Sequence, residues 1–238
     1  MENQLLASLP ADSLGRLTAL LEPVPLLLRD TLHHPGDPIA RVYFPLRGWV
    51  SMLAPLENGD VAEVGLIGNE GMIGFPLALD ATHDDLEAMV QGEGTALVMR
   101  AADFRAALGV DAVLRTLMLR YTHAYLIQVS RTAACNVHHL VEERMARWLL
   151  MSHDRAEGDT FVMTHEFLGM MLSVRRASIS VAAGALQKAG LIHYERGTVT
   201  VTDRPGLENA SCECYGIVRR AFDPRATGGP RARRPYRA

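Results

Sequence analysis

The sequence predicts an α+β protein with an N-terminal β-roll, a long helix and a C-terminal winged helix-turn-helix. Short apolar segments alternate with turn signals over residues 26–106, as in an all-β roll or barrel. A helical run without Gly or Pro follows over about 111–135. Residues 164–202 then show the order helix, tight turn, helix and β-hairpin. This last pattern predicts a second helix that enters the DNA major groove.

The N-terminal part begins with a Leu-rich stretch of helical spacing over residues 5–22, which Pro23 and Pro25 end. Short strands are expected after it, and Asn58-Gly59 is the strongest hairpin signal among the turns. The predicted strands are VYF, GWVSMLAPL, VAEVGLI, LEAMVQ and TALVMR, with turn signals that include LRG at 46–48 and GEG at 92–94. Many short strands at close spacing favour a closed β architecture.

The long helix is expected to begin after Asp111, whose side chain can cap its first turn. Two apolar stripes follow helical spacing, one with Leu114, Leu117, Tyr121 and Ala124, the other with Met118, Tyr125 and Val129. Two apolar faces on one helix indicate packing on the β-roll and on a second copy of the chain. A helix buried in a monomer is the alternative. Another amphipathic helix follows over residues 138–153.

The helix-turn-helix signal is detailed. Thr164 is a good N-cap, Gly169 is small where two helices cross, and Gly190 suits a helix C-terminus. The hairpin strands LIHYE and TVTVT flank Arg196-Gly197, the expected wing turn. We predict DNA contacts from Thr164, His165, Arg175, Arg176, Ser178, Ser180 and Arg196.

Arg175 and Arg176 are the most informative of these residues, because arginine suits both a guanine edge and a phosphate. Two adjacent cations at a helix N-terminus oppose the helix dipole and call for a compensating anion. The alternative is that both arginines form a solvated helix start.

Composition is that of a globular protein, with 48% hydrophobic and 21% charged residues. No apolar run reaches the ~18 residues of a membrane span, and the N-terminus has no signal-peptide pattern, so we expect a cytoplasmic protein without membrane contact. The net charge of −3 is uneven, since residues 164–238 hold twelve Lys and Arg against six Asp and Glu. Such asymmetry indicates nucleic-acid contact at one end. The predicted domains are 1–134 (β-roll with helix), 135–210 (winged helix-turn-helix) and 211–238 (basic, disordered tail).

Over roughly residues 5–210 the chain resembles the Crp/Fnr family of bacterial transcription regulators. The resemblance is strongest in LSVRRASISVAAGALQKAGLIHYERG, and extends to YFPLRGWVSM and EVGLIGNEGMIGFPLALD. It implies a β-roll sensor domain like those that bind cyclic nucleotides, a dimerisation helix, double-stranded DNA and RNA polymerase as partners, and control by an effector bound in the roll.

The chain departs from the cyclic-AMP-binding members of that family. Their Gly-Glu-Leu is Phe75-Pro76-Leu77 here, and their Arg-Ser/Thr pair falls in LEAM at 86–89. No arginine is available for the cyclic phosphate, and Glu87 would repel it. We therefore expect no cyclic AMP, and an unidentified effector, if one binds, at Phe75, Leu77, Glu87 and Met89.

Two further departures concern cofactor and operator. Oxygen-sensing members carry an N-terminal cysteine cluster, whereas no cysteine precedes Cys135 here, so an iron–sulfur cluster is not expected. At the base-reading face the Arg-Glu pair of cyclic-AMP-type members is Arg176-Ala177, which predicts a different operator.

Sequence signals for metal binding and for catalysis are weak. Cys212-x-Cys214 could bind a metal or sense redox state, but it lacks a second pair, so we expect a structural or incidental role and predict no metal site. Adjacent histidines, such as His138-His139, diverge on a helix and do not chelate alone. No phosphate loop, nucleophile elbow or HExxH occurs, so we do not expect an enzyme. One alternative stays open, a cupin-like β-roll metal protein or enzyme with ligands among His33, His34, His83 and Glu87.

Overall fold

A computed structural model describes residues 3–223 of the chain. Helices α1 (Gln4–Ala7) and α2 (Ala11–Thr18) precede a five-stranded antiparallel sheet. Its strands are β1 (Glu22–Leu26), β2 (Thr31–His33), β3 (Arg41–Pro55), β4 (Val61–Ile67) and β5 (Glu87–Arg100), with a 3₁₀ helix (Phe75–Leu79) between β4 and β5. The strand order is β1-β5-β3-β4, and β2 also pairs with β5.

Two long strands replace the four short ones predicted for VYF, GWVSMLAPL, LEAMVQ and TALVMR. The expected turns at 46–48 and 92–94 are bends inside β3 and β5, where the pairing register shifts repeatedly between Pro45 and Val50. A Cβ on Gly48 would lie 2.3 Å from the Gly92 carbonyl oxygen, so glycine lets the two backbones approach at this bulge. The Asn58-Gly59 hairpin joins β3 to β4, as predicted.

Three helices follow the sheet, α3 (Ala101–Val110), α4 (Ala112–His138) and α5 (Val141–His153). The Asp111 carboxylate accepts hydrogen bonds from the Val113 and Leu114 amides at 3.0 Å, which confirms the predicted cap. The apolar stripe expected to face a second chain is covered by the chain itself. Met118 and Tyr125 are buried, and Val129 packs partly buried on the same core.

The C-terminal domain contains β6 (Thr160–Val162), α6 (His165–Met171), α7 (Arg176–Lys188), β7 (Ile192–Glu195) and β8 (Thr198–Val201). Its sheet has the order β6-β8-β7, so β6 adds a third strand to the predicted hairpin. No helix in the described part of the chain has the length and apolarity needed to cross a membrane.

The prediction of a disordered tail over 211–238 is wrong for its first part. Beyond α8 (Arg204–Ala210), residues Cys214–Phe222 form α9, whose Tyr215 and Val218 are buried. The Phe222 ring lies 6.0 Å from that of Tyr121 on α4, so α9 packs along the long helix. Helix α9 is folded because its apolar face is buried against the rest of the chain. Residues 224–238 lie outside the described part of the chain.

The β domain and the C-terminal domain share one apolar interface. Trp49, Leu53 and Leu66 of the β domain join a core with Trp148 of α5 and Ile179 of α7. Two pairs of polar side chains also cross this interface. The indole nitrogen of Trp148 donates to the Glu63 carboxylate at 2.7 Å, and the guanidinium of Arg155 donates to Glu70 at 2.5 Å.

Candidate nucleic-acid interface

Helices α6 and α7 cross at close range, and residues in α6 and in the turn after it make this possible. The Thr164 hydroxyl accepts a hydrogen bond from the Phe167 amide at 3.1 Å and starts α6, as predicted. A Cβ on Gly169 would lie 2.9 Å from the Val174 carbonyl oxygen, so a larger residue would push the turn away. Ser173 reverses the chain with a left-handed φ of 50°. The result is a tight, well-packed helix-turn-helix.

Helix α7 has one buried and one exposed face. Its buried residues are those predicted, Ile179, Ala182, Ala183 and Leu186. The opposite face presents Arg176, Ala177, Ser180, Val181 and Gly184, all exposed. Apart from the arginine these side chains are short, so the helix axis can come close to another surface. That shape suits a helix that enters the major groove.

Positive charge is concentrated at the start of α7. Arg175 is its N-cap and Arg176 its first residue, while the first turn contains no acidic residue. Among the described residues, neither guanidinium makes an ion pair with a carboxylate. Both cations therefore add to the positive end of the helix dipole. Because no carboxylate neutralises them, they form a surface that can bind an anion.

The wing turn has the predicted form. Arg196 and Gly197 both take left-handed φ values, 49° and 81°, as a two-residue β-hairpin turn requires. The Arg196 side chain is 91% exposed, and its nearest carboxylate is that of Glu195 at 3.7 Å. The wing therefore presents a weakly paired cation beside α7.

His165 is held by packing within the domain. Its ring stacks on Tyr194 with centroids 4.2 Å apart, and Nδ1 lies 3.1 Å from the Ser180 hydroxyl. Burial, and then the charge of Arg176, lower the pKa of the imidazole. Ser178 is half-buried. Of the seven predicted contacts, the three arginines, Thr164 and Ser180 are thus exposed, whereas His165 fixes α6 against α7.

Val181 is a surface residue that the sequence prediction missed. It is 69% exposed in the middle of α7, four residues after Ala177 and three before Gly184. An apolar β-branched side chain at that place can contact a thymine methyl group. Its position on the face that carries Ala177 was the available sequence signal.

The four residues predicted for an effector pocket have different surroundings in the structure. Phe75 and Leu77 are buried in the β-domain core, where the Phe75 ring lies 4.6 Å from that of Tyr125. The Glu87 carboxylate accepts a hydrogen bond from the Thr31 hydroxyl at 3.0 Å, and Met89 packs against the other core. The four residues therefore contact different parts of the protein.

The cupin-like metal site does not form either. His33 lies 3.3 Å from the Asp84 carbonyl oxygen, and the His83 ring lies 3.0 Å from the Thr82 hydroxyl. In the part of the chain that the structure describes, no group of potential metal ligands includes His33, His34, His83 or Glu87.

Comparisons with known proteins agree with this architecture. Residues 24–111 match the cyclic nucleotide-binding domain family, and residues 143–210 match the Crp-like helix-turn-helix domain family. A global nitrogen regulator from Nostoc sp. is 24% identical over 180 residues, which cover 72% of this chain and 81% of that protein.

Solved structures show the same fold. FixK2 from Bradyrhizobium japonicum matches with a TM-score of 0.69 at 16% identity, over 81% of this chain and 98% of that one. A Crp/Fnr transcriptional regulator from Eubacterium rectale matches with a TM-score of 0.68 at 14% identity, over 87% and 96%. With both family domains in the family's order, the chain is a DNA-binding transcription regulator of the Crp/Fnr family.

Proposed function

We propose that two copies of this chain bind one DNA operator, with α7 of each copy in the major groove. The observation that best supports this proposal is the start of α7, where Arg175 and Arg176 have no carboxylate partner and lie beside a face of short side chains. A regulator with this role works on the chromosome in the cytoplasm, contacts RNA polymerase and needs no catalytic site.

The exposed face of α4 supports the dimer. Exposed side chains, all small or apolar except that of His123, recur at intervals of three and four residues, at Thr116, Leu119, His123, Leu126, Ser130, Ala133 and Val137. This is the spacing of a two-stranded coiled coil. Leu119, Leu126 and Val137 are 45%, 59% and 77% exposed, so one chain alone leaves this stripe in water. A second copy, packed in parallel, would cover it.

The three exposed arginines have different roles in this proposal. Arg176 reads a base, because it opens the exposed face of α7 and its fork can pair with a guanine edge. Arg175 and Arg196 bind phosphates on either side of that face. Parallel dimers of this kind reach half-sites about one helical turn, ~34 Å, apart.

We further propose that neither cyclic AMP nor an iron–sulfur cluster is the effector. Where cyclic-AMP-binding relatives place their phosphate-binding residues, this chain has buried Phe75 and the acidic Glu87. A cyclic phosphate there would lose its hydration without gaining a cation. Isothermal calorimetry should detect no micromolar binding of cyclic AMP, and micromolar affinity would refute this part.

The test of the main proposal is selection of bound sequences from random duplex DNA. We expect a two-fold symmetric operator with half-sites about one turn apart. Selection of no consensus, or of a single half-site, would contradict the dimeric mode of reading.

The dimer itself can be tested by sedimentation with Leu126→Arg, which places a charge in the α4 stripe. It should give monomers and a large loss of operator affinity. The matched control is Leu79→Arg, because Leu79 is similarly exposed (55%) but lies in the β domain away from the stripe. A dimeric Leu126→Arg variant would show that α4 is not the interface.

A further inference from the structure

A cluster of soft ligands lies where α4 meets α5 and α9. Cys135 is in the last turns of α4, and His139 is the C-cap that follows it. Cys212 precedes α9, Glu213 is the N-cap of α9, and Cys214 is its first residue. One ligand atom from each of the three cysteines and from His139 lies within 4.8 Å of the other three. All three cysteines are buried.

The distances fit one metal ion. Sγ of Cys135 lies 3.4 Å from Sγ of Cys212, and Sγ of Cys214 lies 3.9 Å from Nδ1 of His139. A tetrahedral zinc ion with bonds of about 2.0–2.3 Å separates its ligand atoms by roughly 3.5–3.8 Å. A disulfide would need about 2.05 Å between two sulfurs. The cysteines are therefore gathered but not bonded.

His139 is oriented as a zinc ligand would be. Its Nδ1 faces the sulfur atoms, and its Nε2 lies 3.3 Å from a carboxylate oxygen of Glu213. Metal-bound histidines in proteins usually donate their other ring N–H to a carboxylate, which fixes the tautomer. Glu213 lies between the two cysteines of the C-x-C pair, so one short segment provides two ligands and the supporting carboxylate.

The surroundings supply the charge that such a centre needs. Three thiolates and one Zn²⁺ carry a net charge of −1. Arg144 and Arg147 of α5 are buried, with 6% and 3% of their surfaces exposed, and both interact electrostatically with Cys135. Arg144 donates to the Asn136 side chain and Arg147 to the Thr132 hydroxyl, and neither of these partners carries a charge. The Nε atom of each also lacks a hydrogen-bond partner.

We propose that a single thiolate-preferring divalent cation, zinc, binds at this place, with ligands Cys135, His139, Cys212 and Cys214. The ion connects three parts of the chain: the end of α4, the linker between α4 and α5, and the start of α9. It thereby fixes the junction through which α4 connects to the DNA-binding domain. This site is independent of the DNA contacts of α7.

The experiment uses the full chain, reduced, stripped with chelator and then titrated with Co²⁺ under anaerobic conditions. We expect one Co²⁺ per chain, with the intense visible and near-ultraviolet bands of tetrahedral cobalt bound to thiolates, and their loss when one equivalent of Zn²⁺ is added. Protein purified without chelator should contain about one zinc per chain by mass spectrometry.

Variants locate the ligands. Cys214→Ser and His139→Ala should lose the cobalt–thiolate spectrum or bind Zn²⁺ at least tenfold more weakly. Glu213→Gln should lower the affinity for Zn²⁺ by about 10–100-fold. The matched control is His138→Ala, because His138 is the exposed neighbour of His139 and should leave binding unchanged. Far-ultraviolet circular dichroism identifies a variant that has unfolded. His139→Ala and Glu213→Gln leave all three buried cysteines in place, so they keep the test decisive.

Several results would overturn the proposal. These are no stoichiometric Co²⁺, a spectrum without thiolate bands, unchanged affinity in His139→Ala, a Cys135–Cys212 disulfide in the native protein, or a purified protein that carries an iron–sulfur chromophore.

Discussion

Two sets of arginines in this chain have opposite surroundings. At the domain interface, Arg155 is buried and donates twice to Glu70, at 2.5 and 3.1 Å. Within the C-terminal domain, Arg204, whose side chain is 33% exposed, is tied to Asp154 and to the Tyr215 hydroxyl. At the start of α7, the exposed Arg175 and Arg176 form no ion pair with a carboxylate of the described residues. On the wing, the exposed Arg196 pairs only loosely with Glu195, at 3.7 Å.

The difference separates arginines that hold the structure from arginines that can bind a ligand. A buried guanidinium without its carboxylate would be strongly unfavourable, so its pairing is part of the fold. An exposed guanidinium costs little when unpaired, and it stays available for a phosphate or a base. Substitutions in the first set should therefore change stability, and substitutions in the second should change DNA affinity alone.

The largest effect should come from Glu70→Ala, which leaves the Arg155 side chain, only 6% exposed, without its carboxylate partner. We expect a loss of about 3–5 kcal/mol in the free energy of unfolding, measured by urea denaturation. Glu157→Ala is the control, because Glu157 pairs with Arg47 across the same two domains but in solvent. That variant should lose less than about 1 kcal/mol. Equal losses would mean that burial does not distinguish the two pairs.

The next effect is a pH dependence at the same interface. Burial raises the pKa of Glu63 from 4.5 to about 7, although Ser51 and Trp148 donate to its carboxylate. The folded state then holds this proton more tightly than the unfolded state. Stability from this group is full below pH 4.5 and is lost as pH rises through about 7.

Glu63→Gln should remove that loss. Between pH 5 and pH 8 the wild-type protein should lose up to about 3 kcal/mol relative to this variant. Glu93→Gln, at an exposed glutamate of β5, should instead follow the wild-type pH profile. Parallel profiles for wild type and Glu63→Gln would show that Glu63 is ionised in the folded protein over this range.

A smaller effect, on binding alone, is expected for Arg176→Ala. Operator affinity should fall by about 1–3 kcal/mol with specificity relaxed at one base pair per half-site, because a bidentate guanine contact is lost. The free energy of unfolding should stay near that of wild type. If operator and scrambled duplex weaken by the same factor, base reading has to be assigned to Ser180 and Val181.

The smallest effect is expected for Arg175→Ala and Arg196→Ala. Each should weaken all DNA sequences about equally and lower the salt slope of binding by roughly one per site, because one phosphate contact is lost. Binding measured on operator and scrambled duplex at several salt concentrations separates this behaviour from that of Arg176→Ala. A selective loss on the operator would mean that these residues also read bases.

Local signals determined the C-terminal domain from the sequence. The Thr164 cap, the small Gly169, the apolar spacing of α7 and the Arg196-Gly197 turn each act within a few residues. Their physics needs no distant partner, so the helix-turn-helix and its exposed arginines could be predicted. The order of β-roll, long helix and winged domain followed from similar signals.

Contacts between distant segments decided the rest, because each needs residues that the sequence does not place together. The face of α4 that stays exposed depends on the packing of the 3₁₀ helix and α9, and so the predicted stripe was the wrong one. Likewise Cys212-x-Cys214 has no second ligand pair nearby in the sequence. Cys135 precedes Cys212 by 77 residues, and only the fold brings Cys135 and His139 close to the C-x-C pair.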